Sequence, residues 1–182
     1  ARTLLVEQLI GSLAGFQDAC SVFPGIKILS SQPATENILP EIKIEEIELS
    51  DEEEKLLYNA LIVVDGAMRQ SSAEAGREFT QLYALGLEEV VKARENTERI
   101  CKEQIGLLRK KRIIDEIGKL ESQDWENRII LSPSANNVYI EKVNAALQRI
   151  FGERFYYDST GNRGGGGGTW IQEPRSGVKR NS

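Results

Sequence analysis

The chain contains no histidine. Acid/base catalysis by imidazole, Ser-His and Cys-His nucleophiles, and zinc sites built on histidine are therefore excluded. Cysteine is nearly as scarce, with only Cys20 and Cys101. Two cysteines make neither a disulfide scaffold nor a cysteine-only zinc site within one chain. Both lie in apolar-periodic stretches, Cys20 near Ala19 and Val22 and Cys101 beside Ile100, and read as buried structural thiols. No run approaches roughly 18 apolar residues, so no membrane span is expected. The start, Ala1-Arg2-Thr3-Leu4-Leu5, lacks the long apolar core and small-residue cleavage site of a signal peptide and reads as a cytosolic mature start. Proline is missing between Pro40 and Pro133. The strongest helix breaker is thus absent from the whole middle of the chain.

What is present is ordinary in bulk and uneven in distribution. A length of 182 residues allows one domain with appendages or two small domains. The net charge of −5 argues against a generic binder of nucleic acid or anionic membrane. From Gly161 onward, however, Arg163, Arg175, Lys179 and Arg180 face one anion, Glu173, so this end carries +3. The remainder holds about −8, and a basic tail on an acidic body fits docking to an acidic partner or to nucleic acid.

Hydrophobic spacing sets the expected elements. Leu4, Leu5, Leu9, Ile10, Leu13 and Phe16 predict a short amphipathic helix over 3–17, ahead of Pro24-Gly25. Residues 26–29 alternate as a strand would, and 30–40 have linker composition. Ile42, Ile44, Ile47 and Leu49 follow among glutamates. Their broken alternation predicts an edge strand or an extended docking segment. Ser50 with Glu53 forms a capping box, and Asp51 to Glu54 sit at the positive end of a helix dipole. That electrostatic role accounts for the acidic run without a metal. The helix is expected to run to Gln70 through Leu56, Leu57, Ala60, Leu61, Val64 and Met68.

A second apolar stripe runs from Phe79 to Leu120 and shifts phase at Arg109–Arg112. An unbroken helix over 72–121 would be about 75 Å long. It must either break near Gly86 or Gly106 or make the molecule elongated. Glu95–Arg99 and Glu98–Lys102 have the spacing of i,i+4 ion pairs. Arg128-Ile129-Ile130-Leu131-Ser132 then reads as a strand. Ser132-Pro133-Ser134 reads as a helix entry, 138–150 as an amphipathic helix closed by Gly152, and Phe155-Tyr156-Tyr157 as a second strand. This strand–helix–strand unit permits parallel pairing, with the Ile26 and Ile42 segments as candidates to complete its sheet. Gly164 to Gly168 lack the Gly-Lys-Ser/Thr and helix start of a phosphate loop and read as a hinge, with Trp170-Ile171 as an apolar anchor beyond it.

The expected fold is mainly α, with a small strand–helix–strand α/β lobe, a long helical hairpin, and extended N- and C-terminal arms. Residues 1–49 are read as the N-terminal helix and arm, 50–123 as the hairpin, 124–160 as the lobe, and 161–182 as a Gly-rich basic tail. Asp124-Trp125-Glu126 reads as a structural tryptophan at the junction of hairpin and lobe. Nothing has the spacing of a catalytic set, and no metal or cofactor is expected.

The sequence is therefore read as a non-enzymatic assembly subunit of a cellular complex or a viral particle, such as a connector, scaffold or coat-associated protein. Its partners are expected to be protein subunits of the same or a different kind, in the cytoplasm or within a virion. Ile42, Ile44, Ile47, Leu49, Trp170 and Ile171 are the expected partner-binding residues. The alternative is a nucleic-acid-binding accessory protein. Arg109, Lys110, Lys111, Arg112, Arg163, Arg175, Lys179 and Arg180 would then meet phosphates, or in the first reading an acidic partner.

Overall fold

The computed structural model describes residues 25–31, 41–65, 72–110, 113–152, 155–158 and 167–172. The chain divides into two compact units, residues 1–49 and 50–182. The helix expected over 3–17, Cys20, and the tail cations Arg163, Arg175, Lys179 and Arg180 lie outside the described residues.

In the first unit, β1 (Ile26–Ser31) pairs antiparallel with β2 (Ile42–Ile47), from Ile26↔Ile47 to Ser31↔Ile42. Directly opposed residues share a face. Ile26, Ile28 and Ile47 therefore lie on one face, and Leu29, Ile42 and Ile44 on the other. The two strands form a sheet of their own. They do not complete the lobe's sheet as expected, and in a two-stranded ribbon each strand is an edge.

The second unit opens with α1 (Asp51–Ala60). Its capping box is complete: the Ser50 backbone N–H donates to Glu53 Oε2 at 2.8 Å, and Glu53 N–H donates to Ser50 Oγ at 3.3 Å. The helix was expected to reach Gln70 but stops at Ala60 and passes directly into β3 (Leu61–Asp65). Leu61 is already extended, at φ −95° and ψ 126°. The run Ile62-Val63-Val64 is the cause, because β-branched side chains lose rotamer freedom in a helix and pack well on a pleated surface.

After α2 (Ser72–Ala84) the chain turns at Gly86, whose φ of 66° suits glycine. It then enters α3 (Glu88–Arg109), and α4 (Ile113–Leu131) packs along it as the long helical hairpin. The rod considered over 72–121 is thus broken at Gly86 and again after Arg109, while Gly106 stays inside a helix. Of residues 128–132, expected as a strand, 128–131 are the last turn of α4. One i,i+4 contact holds them there, Arg128 Nε donating to Asp124 Oδ2 at 2.7 Å, and just before it Asn127 Nδ2 donates to the Gln123 carbonyl at 2.9 Å. α4 meets α1, α2, α3, β4 and β5. A helix covered on several sides needs no single apolar stripe, which is why its periodicity misleads.

A 3-10 turn at Pro133–Ala135 leads to α5 (Val138–Phe151). Asn137 Oδ1 caps α5, accepting from Tyr139 N–H at 2.9 Å and Ile140 N–H at 3.0 Å. Gly152 closes it at φ 68°. β4 (Phe155–Asp158) follows, and the Phe151 and Phe155 rings stack with centroids 6.1 Å apart. β5 (Gly167–Gln172) completes a sheet of order β3-β5-β4, antiparallel throughout. The lobe's helix and following strand stand where expected. The other strands come from 61–65 and 167–172 instead of 128–132, and no parallel crossover is made among the described residues. Gly167 to Ile171, expected in a hinge and anchor, form most of the middle strand.

The protein is thus mainly α with a long hairpin and a small α/β lobe. Val90, Ala93 and Leu131 are buried where α2, α3 and α4 meet, with Phe79 and Leu82 packed against them. Among the described residues, no helix is long and apolar enough to cross a membrane.

Candidate functional site

The α2–α3 corner exposes three large apolar side chains within five residues. Tyr83 is 49% exposed, Leu85 70% and Leu87 41%. Leu87 is the N-cap of α3 and provides no side-chain cap. Their backbones close the two helix ends, Leu85 N–H donating to the Gln81 carbonyl and the Leu87 carbonyl accepting from Val90 and Val91 N–H. Their side chains serve no cap, and neighbouring exposed apolar side chains are a usual sign of a contact surface. In the sequence, Tyr83 and Leu87 count towards the stripe of a continuing helix. The signal that separates them from it is the glycine between two leucines.

The outer face of α3 is charged. Glu88–Lys92, Arg94–Glu98, Glu98–Lys102 and Arg99–Glu103 are ion pairs of 2.6 to 3.4 Å. Arg99 pairs with Glu103 rather than with Glu95 as expected, whereas Glu98–Lys102 forms at 2.7 Å. Glu98 is held below the usual carboxylate range by the hydrogen bond and charge of Lys102, with Arg94 adding to it. Exposed pairs of this kind add little to stability, so they chiefly keep the face in water. Near the hairpin end a groove of about 710 Å³ opens between α3 and α4. Gly106, Leu107 and Leu120 line it together with charges of both signs, including Lys110, Glu116 and Lys119.

The seam between α3 and α4 is partly polar. Gln104 Nε2 donates to Glu121 Oε1 at 2.8 Å. Thr97 Oγ1 and Asp124 Oδ1 are buried and make no hydrogen bond among the described residues. Cys101, expected to be buried, is exposed. Its thiol is pushed up by partial burial first and then by the Asp124 carboxylate, a setting that disfavours the nucleophilic thiolate.

One carboxylate ties distant segments together. Glu78 Oε2 on α2 accepts from Ser132 Oγ at 2.8 Å, Ser134 N–H at 3.1 Å and Ser134 Oγ at 2.6 Å. No sequence signal marks it, because its partners lie 54 and 56 residues away. Burial pushes the Glu78 carboxyl up, but the Ser134 and Ser132 hydrogen bonds outweigh that and hold it below its ordinary 4.5. A carboxyl lowered by folding stabilises the protein above its unfolded value and loses that contribution as pH falls through the folded one. The clamp is therefore fully formed above about pH 5 and lost on acidification below 4.5. Glu78→Gln is expected to flatten the acid limb of stability, read as urea midpoints between roughly pH 3 and 7.

The structure scatters the expected site residues. Ile42 and Ile47 are half-buried in β2, Ile44 is 52% exposed, and Leu49 is half-buried at the end of the first unit. Trp170 and Ile171 are register partners of Ile62 and Leu61 in β3, and of Tyr157 and Tyr156 in β4. Arg109 ends α3 and Lys110 caps it, both exposed, while Lys111 and Arg112 lie outside the described residues. The chain matches no family model, no curated protein and no solved structure.

Proposed function

We propose that this chain is a non-enzymatic structural subunit of a larger assembly that includes further copies of itself, in a cellular complex or a viral particle. The observation that carries this reading is the apolar corner Tyr83, Leu85 and Leu87, exposed where two helices join. The β1–β2 ribbon supports it, with apolar residues on both faces and no third strand in its sheet among the described residues. In this reading the corner supplies helix packing and the ribbon serves as an extended arm, in the cytoplasm or within a virion.

Light scattering across a concentration series tests it. The expected weight-average mass exceeds the 20.3 kDa of one chain and falls towards it in Leu85→Asp. A 20.3 kDa species at every concentration, unchanged by the substitution, counts against the proposal. The second reading, contact with nucleic acid, is favoured by the exposed Arg109 and Lys110 at the hairpin end. It requires binding that weakens steeply as salt rises.

A further inference from the structure

The middle strand of the lobe's sheet is the last described element of the chain. Among the described residues, β5 is the only strand that pairs with β3 or β4: Leu61 to Asp65 oppose Ile171 to Gly167, and Phe155 to Asp158 oppose Gln172 to Thr169. The outer strands have other attachments. β3 follows α1 with no intervening residue, and β4 lies on α4, where Tyr156 covers Gly118. With β5 withdrawn, β3 and β4 would stand two strand spacings apart, about 9.5 Å, each presenting a row of unpaired N–H and C=O groups. Such a slot demands a strand, and its backbone groups do not distinguish one copy of β5 from another.

The strand and its connection fit transfer between copies. β5 begins Gly167-Gly168, residues of low strand propensity, so its strand form depends on the slot. The remaining four residues, Thr169 to Gln172, place Trp170 in one register row with Ile62 and Tyr157. Eight residues, four of them glycine, connect Asp158 to Gly167. Fully extended they span at most about 27 Å, enough to carry the strand out of its own sheet towards a neighbouring molecule.

We infer that β5 is an exchangeable strand: in the assembly it leaves its own sheet and completes the β3–β4 slot of a second copy of this chain. This rests on the proposed assembly role and names the contact. Each copy that gives a strand receives one, so a closed pair keeps every backbone hydrogen bond of the monomer and gains the proximity of two subunits.

Mixed single-cysteine chains test the exchange. In a Cys20→Ser, Cys101→Ser background, chains carrying Val63→Cys are refolded from urea together with chains carrying Thr169→Cys, then oxidised. Val63 and Thr169 are register partners, so a cross-linked heterodimer forms when β5 of one chain seats beside β3 of another. Tyr156→Cys with Ile171→Cys reports the same event across β4. The expected result is a heterodimer at both pairs. Its ratio to uncross-linked chain should rise about tenfold for a tenfold rise in concentration. Absence of the heterodimer at both pairs overturns the inference, whether or not the corresponding double variants close within one chain. A mass above 20.3 kDa that is sensitive to Leu85→Asp, without the heterodimer, leaves the assembly reading standing and removes strand exchange alone.

Discussion

Trp125→Ala is expected to lower the unfolding free energy by about 3–5 kcal/mol. Trp125 lies on α4 at 2% exposure and heads the fully buried side chains, ahead of Ile100 and Val90. Removing the indole forfeits its transfer free energy and leaves a cavity in the element that α1, α2, α3, β4 and β5 all meet. Domains of ordinary stability hold about 5–15 kcal/mol, so the loss is a large share of the total. Urea unfolding followed by far-UV circular dichroism measures it. The midpoint should fall with the slope unchanged, and Trp125→Phe, which refills most of the volume, should lie between the two. A shift worth under about 1 kcal/mol would show that α4 is not the centre of the fold.

The elements legible in the sequence are those whose signals are local. The capping box at Ser50 and Glu53, the helix closed by Gly152 and the strand at Phe155 all stand where their residues place them. Signals that depend on distant partners were not legible. Leu61 to Val64 continue an amphipathic helical pattern, and the pairing with β5, more than a hundred residues later, adds to the β-branched preference that tips them into a strand. Ile129 to Leu131 are apolar enough for a buried strand, yet they end a helix surrounded on several sides. Periodicity cannot separate these two environments.

The candidate site divides the same way. The basic cluster is visible as composition, and the placement of Arg109 and Lys110 at the end of α3 follows from the break after Arg109. The apolar corner becomes visible once Gly86 is known to turn the chain, because only then do Tyr83, Leu85 and Leu87 leave a continuous stripe. Glu78 has no signal at all, being one glutamate among many until folding brings Ser132 and Ser134 to it.

Two glycines in the hairpin helices predict opposite responses to one substitution. Gly106 lies in α3, and a Cβ built there meets nothing within 4 Å. Gly106→Ala therefore removes backbone freedom from the unfolded chain at no steric cost, and should stabilise by about 0.5–1 kcal/mol. Gly118 lies in α4, and its Cβ would stand 2.5 Å from Tyr156 Cδ2, 2.9 Å from Cγ and 3.0 Å from Cβ. Those atoms lie at the root and near edge of the tyrosine rather than at a flexible tip, so relief requires β4 itself to move. Overpacking of this kind costs about 1–3 kcal/mol, more than the gain in helix propensity. Gly118→Ala should thus lower the unfolding midpoint while Gly106→Ala raises it. Adding Tyr156→Ala to Gly118→Ala should recover part of the loss, giving a coupling that Gly106→Ala does not show with Tyr156. Equal shifts of the same sign at both glycines would mean that propensity alone governs them, and that β4 does not rest on α4 at Gly118.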